Sequence, residues 1–224
     1  MDSPKQTSWT MIDGAAKGQA EAREQVALLY APLVRRYLAA RWRLPQDHEQ
    51  VNEGCQDAML QLFKPGGALE NVNAHQGGGF RGYLYGLVRN VALMIERSSR
   101  RHSERQPNAD FELDKIEVDE ATLSQVFDRG WARMIAQRAR SRMAAKLQDK
   151  KPEVYRSLEL CYSEGLAPRQ IAKELGKSAG IAYELLRSAR KEYRRALLDT
   201  VAEFYPGKTH AEIEATCREL TQFL

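Results

Sequence analysis

The chain has few of the residues that secretion, metal binding or membrane insertion would require. It carries three cysteines in 224 residues, Cys55, Cys161 and Cys217, far apart and in no CxxC pair. That spacing excludes a disulfide framework and a zinc knuckle, and it reads as buried or free thiols in a reducing compartment. The four histidines, His48, His75, His102 and His210, are as scattered and offer no metal-ligand spacing. No apolar run approaches the length of a membrane span, and the opening MDSPKQTSWTMIDGAAKG lacks the apolar core of a signal peptide. A cytoplasmic protein without membrane insertion is therefore expected. No nucleophile sits with a plausible base, and no carboxylates cluster for metal-assisted phosphoryl transfer, so neither an enzyme nor a cofactor is expected. Charge of one sign is scarcely in excess: Lys+Arg number 34 against 30 Asp+Glu, a net +4. No internal repeat is visible.

The distribution of charge is more telling than its sum. Basic residues gather at 97–105 and 187–195, and acids at 110–120. Two basic surfaces separated by an acidic connector suit a protein that grips nucleic acid at two places. Either patch alone is explained equally well by a solvated helix face.

The sharpest local pattern is APRQIAKELGKSAGIAYELLRSARKEYRRAL at 167–197. Ile171, Ala172 and Leu175 mark the inner face of a short helix, and Gly176 permits the positive φ of a tight turn. Ser178 is placed to cap the next helix, whose buried stripe is Ala182, Leu185, Leu186 and Ala189. Small Ala172 lies where two crossing helices approach closely. Lys177 and Ser178 at the turn, and Tyr183, Glu184, Arg187, Arg190 and Lys191 on the outward face, remain free for a partner. This is a helix-turn-helix pattern, and the usual partner is the DNA major groove; a plain helical hairpin is the alternative.

The remaining periodicity is helical as well, and the predicted fold class is all-α. Residues 21–30 and 32–42 form two helices, or one bent at Pro32, with Val26, Leu29, Leu33, Tyr37 and Leu38 inward. Residues 47–63 form another, packing through Val51, Cys55, Met59, Leu62 and Phe63. Residues 64–79, rich in glycine, read as a loop. A long helix runs from Phe80 to about Arg101, with Leu84, Leu87, Val88, Val91 and Ile95 as its core face. Gln106–Pro107–Asn108 ends the pattern, and residues 106–122 read as a flexible acidic linker. A second helical unit follows: 127–147, then 153–163 with Val154, Leu158, Cys161 and Tyr162 inward, then the helix-turn-helix. The division is thus a tail at 1–19, two small helical domains at 20–105 and 123–200 joined by that linker, and a C-terminal extension at 201–224. In the extension, Thr209 and Glu212 form a capping box ahead of Ile213, Cys217, Leu220 and Leu224. That stripe either completes the second domain's core or makes a regulatory contact, and the former is the commoner use of such a helix.

The long helix opens FRGYLYGLVRNVALMIERSSRR. Its Phe80, Tyr83 and Tyr85 are interleaved with Arg81 and Arg89, beside Asn90 and ahead of Arg97, Arg100 and Arg101. Rings that stack on unpaired bases and arginines that hold phosphates are what single-stranded DNA binding uses. A core Phe80 with solvated arginines satisfies this stretch equally well.

Together these segments resemble a two-domain bacterial sigma factor of the extracytoplasmic-function (ECF) type. The resemblance rests on LYAPLVRRYL at 29–38, VNEGCQDAMLQLF at 51–63, FRGYLYGLVRN at 80–90 and EGLAPRQIAKELGKSAGIAYELLRSAR at 164–190, and it covers roughly residues 20–198. It implies promoter-specific transcription initiation. The first domain would dock on the clamp helices of the polymerase β′ subunit through Glu53, Gln56 and Asp57. The helix carrying Arg81, Tyr83, Arg89, Asn90 and Arg97 would capture the melted −10 strand, with Asn71, Asn73 and His75 in the preceding loop. The second domain would sit on the β flap and read the −35 element. The acidic connector, with Asp110, Glu112, Asp114, Glu117, Asp119 and Glu120, would thread toward the active cleft and the RNA exit path. A solvated tether fits it as well. An anti-sigma factor is a further partner that the resemblance allows.

Three departures stand out. Tyr83 replaces the family tryptophan, Gly54–Cys55 replaces a Leu-Val pair expected to add apolar area for β′ docking, and Ile181–Ala182 and Glu184–Leu185 replace polar recognition-helix residues. Promoter preference therefore does not carry over, and the inducing signal is not legible. The competing reading is a helix-turn-helix regulator that binds duplex DNA and never touches polymerase; it leaves the aromatic-basic helix and the acidic 51–57 segment without a role.

Overall fold

The structure, a computed structural model, describes residues 8–71, 79–103 and 119–223. All regular elements among the described residues are helical: α1 (Ser8–Ala16), α2 (Ala20–Trp42), α3 (Glu49–Leu62), a 3-10 turn (Ala68–Asn71), α4 (Gly79–Ser103), α5 (Glu120–Leu147), α6 (Pro152–Tyr162), α7 (Pro168–Glu174), α8 (Ala179–Phe204) and α9 (His210–Thr221). Asn73, His75, Leu224 and the acids Asp110, Glu112, Asp114 and Glu117 lie outside the described residues.

The chain divides into two compact units. The first holds the described residues up to Met134 together with Glu203–Lys208 and Leu220 onward; the second holds Ile135–Ala202 and Thr209–Glu219. The boundary between the two units falls inside α5.

In the first unit α2 is one continuous helix, with Pro32 exposed inside it. Its buried stripe of Val26, Tyr30, Leu33, Val34, Tyr37 and Leu38 is the spine of the core. Burying side chains of this size contributes roughly 1.5–3 kcal/mol each, which is what holds a bundle of individually marginal helices together. Residues 1–19 read as a tail, yet Ser8–Ala16 is helical and buries Met11, Ile12 and Ala15. The helix expected to begin at Phe127 begins at Glu120, because Asp119 accepts a hydrogen bond from the Ala121 N–H and caps it. Leu123, Phe127 and Trp131 of α5 are then buried in the first unit. Tyr30 and Trp131 stack with centroids 5.9 Å apart, and Phe204 meets Trp131 edge-on at 5.6 Å.

In the second unit the core of the paired short helices is Leu160, Ile171, Ala172, Ala182 and Leu186, with Cys161, Leu166 and Leu175 against it. The inward assignment of Tyr162 is corrected: it is 61% exposed, and Leu160 takes the core position. The reason is phase. Val154, Ser157, Leu158 and Leu160 define the buried side of α6, and Tyr162 lies at its end, where the chain turns away. The α9 capping box forms as expected, with the Thr209 N–H donating to Glu212 at 2.8 Å and the Glu212 N–H to the Thr209 hydroxyl at 3.4 Å. Ile213 and Cys217 are buried. Glu214 also pairs with Arg194 of α8 at 2.9 Å, and burial pushes the Cys217 thiol up to about 11.

Candidate nucleic-acid interface

The helix-turn-helix is built from local rules. Pro168 opens α7, where its missing N–H is not needed, and Gln170 accepts the Ala167 N–H at 2.8 Å. Gly176 adopts φ +61, and the Lys177 N–H closes the turn onto the Ala172 carbonyl at 2.9 Å. The Ser178 hydroxyl accepts the Ile181 N–H at 3.4 Å, so α8 is capped as its sequence predicts. Ala182, Leu186 and Ala189 are buried, whereas Leu185, expected beside them, is only half-buried.

The opposite face of α8 is open. Tyr183, Glu184, Arg187, Arg190 and Lys191 are all exposed, and so is Ile181 at 48%. Glu184 and Arg187 stand 3.8 Å apart, a loose pair between two well-exposed side chains. Arg190 is anchored at one side: a hydrogen bond with Tyr162 raises the guanidinium above its ordinary value. Lys177 does not stand free at the turn, since its ammonium pairs with Glu153 at 2.8 Å.

On α4 the arrangement is different. Phe80 is in the core, 4.8 Å centroid to centroid from Tyr30. Tyr83 is half-buried; its ring lies 5.9 Å from that of Phe80, and burial pushes its phenol up to about 12. Its buried hydroxyl has no hydrogen-bond partner among the described residues. Arg81 pairs with Asp128 of α5, and Arg89 with Glu120 of α5 at 3.0 Å. Between these two pairs, Tyr85 meets Phe127 at 5.2 Å. Asn90 and Arg97 are exposed.

Glu120 also reaches Arg41 of α2 at 3.1 Å, and Arg41 makes a two-pronged pair with Glu96 of α4 at 2.6 and 3.0 Å. The Trp42 indole N–H donates to the same Glu96 at 2.9 Å. Burial opposes the charge on Arg41, but the hydrogen bonds it donates to Glu96 and Glu120 outweigh that and hold the guanidinium above its ordinary value. Burial likewise pushes Glu120 upward, yet Arg89 and Arg41 prevail and keep its carboxyl below the usual range. Composition puts Glu120 in a free acidic connector; it is instead the helical hub of this network. Asp119, read the same way, is the α5 cap.

Glu53, Gln56 and Asp57 of α3 are exposed, and with Leu60, 70% exposed, they fall at the spacing of one helix face. Gly54 and Cys55 point the other way. A Cβ on Gly54 would lie 2.6 Å from the Trp42 ring, and the Cys55 thiol donates to the Ala31 carbonyl at 3.8 Å. The expectation that they cost docking area is therefore corrected: both belong to the α2 contact, not to the open face.

Sequence reasoning missed Asp128, Glu120 and Leu60 as members of these surfaces. The eight-residue spacing of Arg81 and Arg89, matched by that of Glu120 and Asp128, was the available signal. No described helix is long and apolar enough to cross a membrane, and no group of metal-ligating side chains occurs among the described residues.

A search of curated proteins gave no match. Residues 6–199 match the family described as ECF sigma factor, a span that takes in α1 as well as the segments quoted above. The chain belongs to the ECF sigma factor family.

Proposed function

We propose that this chain directs initiation by docking on the polymerase clamp through the α3 face, holding the melted −10 strand on α4 and reading the −35 duplex with α8. Family membership makes the chain a transcription-initiation factor, a regulatory subunit of RNA polymerase rather than an enzyme, with the core polymerase and promoter DNA as partners. The observation that carries the proposal is the recognition helix: its inner stripe is fixed in a packed core, and its outer face presents Tyr183, Glu184, Arg187, Arg190 and Lys191 to solvent. A rigid helix with one open basic face at the end of a tight turn is the geometry that enters a major groove.

Five of the exposed side chains then have a role that their chemistry supports. Glu184 accepts from a cytosine amine, Arg187 takes a guanine edge or phosphate, Arg190 and Lys191 hold phosphates, and Ile181 meets a thymine methyl. The acidic and apolar stripe Glu53, Gln56, Asp57 and Leu60 suits a basic helical partner on the clamp, and the second unit would meet the β flap. The site of action is the cytoplasm, and an anti-sigma factor that covers the α3 face would silence the chain.

Run-off transcription tests the reading. Bacterial core polymerase with this chain should yield discrete transcripts from fragments of its own genome that core polymerase alone does not give. Duplex DNA binding without any polymerase binding or transcript would contradict it and favour a conventional helix-turn-helix regulator.

A further inference from the structure

We propose that residues 120–131 of α5 are a removable cover for the strand-binding face of α4, with carboxylates standing where phosphates of the single strand would lie. The inference rests on the assignment of α4 to strand capture. Arg81 and Arg89 lie eight residues apart on α4, and their partners Asp128 and Glu120 lie eight apart on α5, in reversed order. Eight residues rise about 12 Å along a helix, so the two segments run antiparallel with their charges in register. Between the ion pairs, Phe127 meets Tyr85 edge to face at 5.2 Å, so it takes up aromatic surface that a base of the single strand would need. The cover therefore reproduces both parts of a single strand: anions for the arginines and a ring for the aromatic.

Two further observations point the same way. The Tyr83 hydroxyl and the Trp131 indole N–H are buried without hydrogen-bond partners among the described residues. Each has lost its water and gained no partner in exchange. Their exposure on opening restores those bonds and offsets part of the apolar contact given up. The arginines also remain reachable: Arg81 keeps 34% and Arg89 41% of its side-chain surface. An incoming phosphate can thus meet either guanidinium before its carboxylate leaves, and exchange of one anion for another needs no bare charge at any stage. Free chain would bind single strands weakly, and binding would strengthen as the cover is displaced.

The test is binding of a labelled single-stranded oligonucleotide to the full chain, followed by fluorescence anisotropy at fixed salt. The variant Glu120→Gln with Asp128→Asn removes both anions. It should bind at least about threefold tighter than the native chain, because apparent affinity rises with the fraction of open molecules. Asp128→Asn alone, which leaves Glu120 and the Arg41 network in place, should give a smaller rise in the same direction and carries the test if the double variant melts early. Arg81→Ala should weaken binding in either background. Unchanged or weaker binding by Asp128→Asn, while Arg81→Ala still weakens it, would overturn the cover and leave strand capture standing. No single-strand binding by any of these proteins, and no loss of open-complex formation in Arg81→Ala with core polymerase, would overturn both.

Discussion

Two basic helices in this protein carry the residues expected to touch DNA, and they stand in opposite states. On α8 the expected contacts face solvent, apart from the Arg190 anchor to Tyr162. On α4 Arg81 and Arg89 already have carboxylate partners and the tyrosine expected to stack has its hydroxyl buried, while Asn90 and Arg97 further along stay exposed. The difference shows that a charged, aromatic helix face does not report its own availability. What decides is whether the same chain holds a complementary face within reach. For α8 the residues that complete the fold are all on the inner stripe, so the outer face is left over. For α4 the same turn that points Arg89 outward also points it at Glu120.

The comparison breaks most visibly at Arg41. This buried arginine ties Glu96 of α4 and Glu120 of α5 to α2. Arg41→Ala leaves Glu96 mostly buried, with only the Trp42 N–H, and should cost roughly 3–5 kcal/mol of stability, measured by denaturant unfolding. Removal of the exposed Lys191 on α8 should change stability by less than about 0.5 kcal/mol in the same assay. Equal effects would mean that the two faces are not built differently.

A smaller, more selective effect is expected on the open helix. Glu184→Gln should shift preference at one promoter position by an amount on the order of 1–3 kcal/mol, read by selection from a randomised promoter pool. Arg190→Ala should weaken binding across sequences and reduce the salt slope by about one. An unchanged profile for Glu184→Gln would mean that its pairing with Arg187, 3.8 Å away, is only a surface contact.

The helix-turn-helix was legible because its determinants are local: Gly176 at positive φ, Ser178 as a cap, and Ala172, Ala182 and Leu186 at fixed offsets that meet one core. The all-helical class followed from the same periodicity. The fate of the α4 face was not legible, since it depends on partners about 30 to 50 residues away, such as Glu120 and Asp128, that no local pattern links to it. Composition misled at Asp119 and Glu120, where an acidic run looked like a tether although D-E-A-T-L also reads as a cap followed by a helix. Tyr162 shows the limit of periodicity at a helix end, where a one- or two-residue error in phase exchanges core for surface. The helical Ser8–Ala16 segment was missed because its composition, with two glycines close by, gives a weak stripe.

Hydrogen exchange of the full chain, free and bound to core polymerase, tests the central contrast most directly. Amides of residues 120–134 should be protected in the free chain and lose protection once polymerase and a melted promoter strand are bound. The first three turns of α8 should stay unchanged until duplex −35 DNA is added. Protection of residues 120–134 that persists unaltered in the open complex would contradict it.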